Sequence, residues 1–506
     1  MSSHHDADRS RFPDPVYART VLAPLFDHSK REFAGELSRI NRAHCVMLTE
    51  TAILTAAEGT AIAGALARID ATLDPAAMVY SGEHEDMFFA IEAELKAILG
   101  PDMAGRLHTG RSRNDMDHTI LRLRLRDEID ALATKGRQLA QAMLNKAQAE
   151  RDTIIVAYTH GQPAQPTTFG HYIGAALEVL LRDLDRLAAA RQVVDRCPMG
   201  AAAITTTGFA LDRPRMATLL GFAEPQRNSY GCIATVDYVT ASYSALSLMM
   251  LHLGRVVQDL QFWTSFEVGQ IYVPNGFVQI SSIMPQKRNP VPVEHMRLLA
   301  SQAMGQAQAM VGTMHNTPFT DMNDSEGEVQ TAGYRAFALA GRMLDLMAAL
   351  LPSLAVEGER VRANIDRSCI TVTELADTLV RAEGLPFRIA HEIAADVARG
   401  VTARQTALSD GHDLFAAAFQ HAVGRAPRLS AADYALAVSP RNFIAIRDRI
   451  GGPAPAAMDE SLAVYRSALQ ALTDRAEAGA RRIADAADLL AGAFAQLTET
   501  DPQEAR

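Results

Sequence analysis

Residues 115–150 contain no proline and place Ile120, Leu121, Leu125, Ile129, Leu132 and Leu139 at helical intervals. A helix of that length far exceeds the usual three turns of a globular protein. It needs neighbours of matching length to cover its apolar side. The pattern returns at 168–195 and 232–264, and again at roughly 291–313 and 327–350. The stretch holding Leu246, Leu248, Met249, Met250, Leu251 and Leu253 is apolar nearly all round, which marks a helix buried on every side. Long near-parallel helices pack as a bundle. An all-round apolar member predicts that the bundle continues into neighbouring subunits, as a homotetramer. The expected fold class is all-α, in three helical domains: 1–114, 115–365 with the long bundle, and 366–506.

The flanking regions read as shorter helices. Leu37 to Ile69 has helical spacing with a break near Glu58-Gly59, and Asp86 to Leu99 forms a further amphipathic helix. From Asp366 onward, helices are separated by Gly384-Leu385-Pro386, by Gly411 and by Gly451-Gly452, and an Ala-rich helical pattern follows Asp459. Residues 1–15 and the end from Glu499 read as loose tails. No fixed-period repeat and no strand-rich stretch is found. One Trp, with 6% aromatics in a 48% hydrophobic chain, points to aliphatic helix-packed cores. A net charge of −10 argues against nucleic acid as a partner. Cys45, Cys197, Cys232 and Cys369 lie far apart with no Cys-x-x-Cys pair, as expected of reduced thiols in the cytoplasm and of no zinc site. Ser2 to Asp6 lacks an apolar signal core, and no uninterrupted apolar run reaches about 18 residues, so no membrane association is expected.

Three polar stretches interrupt this pattern. Ser281-Ser282-Ile283-Met284-Pro285-Gln286-Lys287-Arg288-Asn289-Pro290 sets hydroxyls, an ammonium and an amide on one proline-stiffened loop, a set suited to surrounding an anion. His108-Thr109-Gly110-Arg111-Ser112-Arg113-Asn114-Asp115 leads straight into the first long helix, with Asn114 or Asp115 as the expected cap. Carboxylates bind well where a helix N-terminus meets basic and amide side chains. Tyr158-Thr159-His160-Gly161-Gln162-Pro163-Ala164-Gln165-Pro166 cannot be helical. A histidine there can serve as acid, base or orienting group.

The first of these stretches resembles the signature of the fumarase/aspartase superfamily, Gly-Ser-Ser-x-Met-Pro-x-Lys-x-Asn-Pro, matching every fixed position except the leading glycine, where Ile280 stands. The other two, together with Glu374-Leu375-Ala376-Asp377, Gly384-Leu385-Pro386-Phe387-Arg388 and Ala390-His391-Glu392, resemble the argininosuccinate lyase family. The resemblance implies an almost all-α tetramer with a twenty-helix core, and active sites assembled from three subunits. It implies Ser281 as general base, with His160 and Thr159 handling protons and the leaving group. Ser112, Arg113, Asn114, Thr159, Ser282, Lys287 and Asn289 would hold the succinyl carboxylates. The implied partners are a small dicarboxylate-amine substrate and other copies of the chain, without metal or organic cofactor. The implied reaction is a reversible anti elimination giving fumarate and an amine, as in arginine biosynthesis. The abstracted proton is weakly acidic, so fixed donors must absorb charge at the adjacent carboxylate. A serine base needs hydrogen bonds, positive charge and excluded water.

Departures from the family pattern fall mostly outside the succinyl-gripping groups. The N-terminal Gly-Gly-Arg-Phe element is absent; Phe88 and Ile91 replace His and Asn; Val291 follows Asn289-Pro290 where Asp is usual. Gly231 to Asp237 lacks the expected arginine, and Asp321-Met322-Asn323-Asp324-Ser325-Glu326 replaces Tyr-Asn-Lys-Asp-x-Gln. Asp321 and Glu326 could accept a cationic amine. An N-succinyl amine other than argininosuccinate is therefore expected, as in ethylenediamine-disuccinate lyase, beside the plain argininosuccinate reading. The same scaffold also admits a δ-crystallin-like structural role and a sister lyase chemistry of the adenylosuccinate type.

Overall fold

The computed structural model describes residues 12–499. The expected tails at 1–15 and 499–506 lie outside the described residues except for 12–15 and Glu499, and Pro15 already opens a short helix capped by Asp14. The N-terminal region packs α1 (Ala34–Glu50), α2 (Ala56–Thr72) and α3 (Met87–Leu99) around Ile40, Met47 and Ile62. The break between α1 and α2 falls at Thr51–Thr55, not at Glu58-Gly59. Thr55 Oγ1 accepts from the Glu58 N–H at 3.3 Å, and the Glu58 carboxylate accepts from the Thr55 N–H at 2.9 Å. Glu58 thus closes a capping box that starts the helix. Gly59 lies inside α2 because the Thr49 side chain leaves no room for a Cβ.

The central bundle is built from α4 (Arg113–Ala149), α5 (Phe169–Val194), α6 (Asp237–Trp263), α7 (Val291–Thr313) and α8 (Gln330–Leu350). Their inner faces form one core that includes Leu125, Leu177, Tyr243, Met249, Met296 and Met343. At 37 residues, α4 is about 55 Å long at 1.5 Å per residue. Its cap is Ser112, with Asp115 closing a capping box from the first turn, so neither Asn114 nor Asp115 is the cap. The outer face of α6 leaves Leu248 and Leu251 exposed in a single chain while Leu246, Met249 and Leu253 are buried. Among the described residues, Gly327–Ser353 is the one helical stretch long and apolar enough to cross a bilayer. Phe337, Met343, Leu344 and Met347 bury its apolar side in the bundle.

Between α4 and α5 the chain forms an antiparallel ribbon, β1 (Ile154–Thr159) with β2 (Gln162–Thr168), where the sequence predicted only a loop. The ribbon has two strands, so each keeps an edge where proline's missing N–H is harmless. The register shifts between Ala157 and Tyr158, which pairs with Pro163. A smaller ribbon pairs β3 (Gln279–Ile280) with β4 (Arg288–Asn289).

Residues Cys369 to Val438 form their own core, from α9 (Val372–Glu383), α10 (Phe387–Arg404) and α11 (His412–Val423). The terminal helix α12 (Pro455–Glu499) returns instead along the molecule. It gives Met458, Leu462 and Leu469 to the bundle core, and Leu490 and Phe494 to the N-terminal core.

Candidate functional site

The Ser281 loop bridges the paired strands β3 and β4 at one end of the bundle. Ser281 Oγ accepts the N–H groups of Met284 at 3.0 Å and Ile283 at 3.3 Å. Two donors on one oxygen favour its anionic form. Arg288 anchors the base of the loop through the Val273 carbonyl at 2.7 Å and lies over the Tyr272 ring. It thereby leaves Lys287, which makes no ion pair among the described residues, as the loop's free cation. Ser282 and Lys287 are exposed, and Ser281 and Asn289 half-buried. Ile280 and Ile283 stand 81% and 83% exposed on the same loop, an apolar rim that calls for a covering surface.

Thr159 and His160 lie at the tip of the β1–β2 ribbon, both exposed. His160 (φ 54°) and Gly161 (φ 72°) make the left-handed pair that such a two-residue turn requires. This tip shares its end of the bundle with the Ser281 loop. Tyr158 stacks edge-on to Phe262, and the Val156 N–H reaches Gln270 Oε1 at 3.1 Å.

Ser112, Arg113 and Asn114 sit at the other end of α4. Ser112 Oγ bonds Asn114 Oδ1 at 3.1 Å, and Asn114 Nδ2 donates to the Ala203 carbonyl at 3.0 Å. Arg113 is held by Asp86 at 2.8 Å and Glu85 at 3.3 Å, so its guanidinium is partly committed rather than free. Asp115 takes N–H bonds from Ser112, Gly200 and Ala202, each at 2.9 Å. Burial outweighs these bonds and pushes its carboxyl up to about 6. Arg111 is buried and donates to Asn41 Oδ1 at 2.7 Å, which makes it a strut of the N-terminal region. One chain therefore brings the Thr159–His160 tip and the Ser281 loop to one end and places Ser112–Asn114 at the opposite end.

Beside Ser112–Asn114, folding gathers residues that the sequence leaves unconnected. His118 Nδ1 lies 2.8 Å from Tyr238 Oη, and its Nε2 faces Glu326 at 3.5 Å and Asp321 at 4.0 Å. Burial, then Arg122, pushes the imidazole down to about 3. Burial, then Asp117 and Asp321, drives the Glu326 carboxyl well up. Both shifts disfavour the charged forms where these two groups meet. Asp117 is pushed up to about 8 by burial and then by Asp86. In the sequence His118 carries little signal, standing between Asp117 and Thr119 in the polar opening turns of α4. Asp321 and Glu326 stand out in the sequence as an acidic pair, without any sign that His118 joins them.

A family model described as a lyase matches residues 29–305, and a model described as the argininosuccinate lyase C-terminal region matches residues 369–445. The chain is 59% identical over 493 residues to argininosuccinate lyase 2 of Agrobacterium fabrum, covering 97% of this chain and 98% of that one. To argininosuccinate lyase of Halorhodospira halophila it is 36% identical over 415 residues, covering 82% and 87%. The solved structure of EDDS lyase in complex with formate superposes with a TM-score of 0.85 at 30% identity, covering 96% of each chain. The activity of this chain is that of a carbon–nitrogen lyase giving fumarate. By these matches, and with the helical fold they share, the chain belongs to the argininosuccinate lyase family of the fumarase/aspartase superfamily.

Proposed function

We propose that the chain catalyses a reversible anti elimination on an N-substituted aspartate, with Ser281 as general base, in a cytoplasmic homotetramer whose sites draw on three subunits. The observation that carries the reading is Ser281 Oγ under two amide hydrogens. These donors stabilise the alkoxide that abstracts the succinyl proton, and Lys287 adds positive charge from the same loop. Lys287 and Asn289 hold the carboxylate beside the reacting carbon as it takes up charge. Ser282 adds a hydroxyl. Thr159 and His160 serve the departing amine and orient the substrate. Ser112, Asn114 and the uncommitted N–H groups of Arg113 bind the remaining carboxylate. The exposure of the Ser281 loop in one chain supports a shared site, because a serine base needs water excluded by a partner. None of these steps calls for a metal or organic cofactor.

The positions that would grip the succinyl half are retained, and Val291, 231–237 and 321–326 differ from the family pattern. This favours an amine other than arginine. Fumarate consumption with arginine, ethylenediamine and other amines tests the assignment. Turnover confined to arginine would restore the plain argininosuccinate reading. Retention of fumarate release by Ser281→Ala would remove the proposed base.

A further inference from the structure

His118 lies one helical turn after Asn114 on α4, its side chain 2% exposed, while Asp321 and Glu326 come from the connection between α7 and α8. The candidate ligand atoms of the three all lie within 4.8 Å of one another. A tetrahedral ion with bonds of about 2.0–2.2 Å sets its ligand atoms about 3.3–3.6 Å apart. The 3.5 Å separation of His118 Nε2 and Glu326 Oε2 already meets this spacing. Bringing in Asp321 takes roughly an ångström of movement in a half-buried connection.

The surroundings fit a ligand set. Tyr238 Oη at 2.8 Å from Nδ1 fixes the His118 ring, in the position where metal-bound histidines hold a carboxylate, carbonyl or water. Tyr238 is itself fully buried, with the Arg122 guanidinium 3.9 Å from its ring centre. Asp321 Oδ1 is shut off from solvent and has no hydrogen-bond partner. Asp117 adds a carboxyl with no hydrogen bond or ion pair among the described residues, and the nearby Arg113 is held by Asp86 and Glu85. A bound dication would supply the positive charge that these carboxyls lack here.

We propose that His118, Asp321 and Glu326 bind one divalent metal ion of the zinc class, with water completing its shell. One imidazole with two carboxylates suits zinc, cobalt or manganese better than magnesium or calcium, which take oxygen sets. The ion would stand one helical turn from Asn114 and set a fixed positive charge beside the carboxylate-binding end of α4. The inference rests on this cluster and not on the elimination reading.

The test is zinc titration of the full-length protein after chelator treatment and dialysis, for the wild type, His118→Gln and the double variant Asp321→Asn/Glu326→Gln. The proposal predicts about one zinc per chain and at least about tenfold weaker binding in each variant. It also predicts visible cobalt(II) absorption in the wild type that is lost in His118→Gln. The double variant leaves α4 intact, so it keeps the test valid if the buried His118→Gln misfolds. No zinc bound by the wild type, or equal binding in all proteins, overturns the proposal. So does a double variant that binds zinc normally but loses affinity for the amine co-substrate, which would make the cluster an ammonium receptor.

Discussion

Among the described residues, the side-chain hydrogen bonds of Ser281 stay within its own loop, so its replacement separates chemistry from folding. Ser281→Ala lowers fumarate release by at least about 10²-fold, the lower range for a general base, and leaves the melting temperature unchanged. A residual rate within tenfold of the wild type would contradict this. His44 supports the His108–Asp115 stretch differently: it is buried, and its Nε2 lies 2.9 Å from the Thr109 carbonyl, so the ring N–H donates there. Burial, then Arg111, lowers its pKa from 6.5 to about 3. The unfolded chain takes up a proton near 6.5 that the folded chain refuses, so the stability this gives is full above pH 6.5 and is lost as pH falls toward 3. The slope reaches about 1.4 kcal/mol per pH unit. His44→Gln therefore flattens the acid side of a urea-midpoint profile, and an unchanged slope would refute the burial argument. Ser281, His160 and Asn114 could be singled out in the sequence because each sits in a contiguous motif. The grouping of His118 with Asp321 and Glu326 could not, because it exists only once α4 packs against a connection far downstream.

The long helices α4 to α8 could be read from the sequence because apolar spacing over several turns has no other solution. The β1–β2 ribbon could not, because Pro163 and Pro166 hid the strand character of Ile154, Ile155 and Val156. The smaller ribbon carries a prediction. Ile280 pairs with Arg288 at the mouth of the Ser281 loop and is exposed to solvent. A glycine there frees the backbone, so Ile280→Gly raises kcat if loop closure limits turnover; an unchanged kcat would remove Ile280 from gating. The terminal helix α12 carries another. Phe494 is buried in the N-terminal core beneath Arg42, which lies 5.0 Å from its ring centre. Phe494→Ala lowers stability by about 3–5 kcal/mol, read from the urea midpoint of the cooperative transition. A loss under about 1 kcal/mol would mean that the helix end packs only loosely.

At the scale of the molecule, a division at 1–114, 115–365 and 366–506 assigns α12 to the last unit, although its apolar contacts lie with the other two. That helix ties the chain's end to its beginning. The sequence hid this because an Ala-rich amphipathic pattern states a helix without stating its partner. The bundle leaves Leu248, Leu251 and Leu298 exposed along its outer faces, and its two ends carry the two parts of the proposed site. Block Ser112–Asn114 and the Ser281 loop stand at opposite ends of helices that are 37 and 27 residues long, or about 55 and 40 Å. No single chain can close that distance around one small substrate. The direct measurement is fumarate release after Ser281→Ala and Asn114→Ala, each inactive alone, are co-expressed in one cell and purified as mixed tetramers. The account predicts recovery of activity, because some sites then receive an intact Ser281 and an intact Asn114 from different copies. Mixed tetramers that stay as inactive as their parents would contradict it.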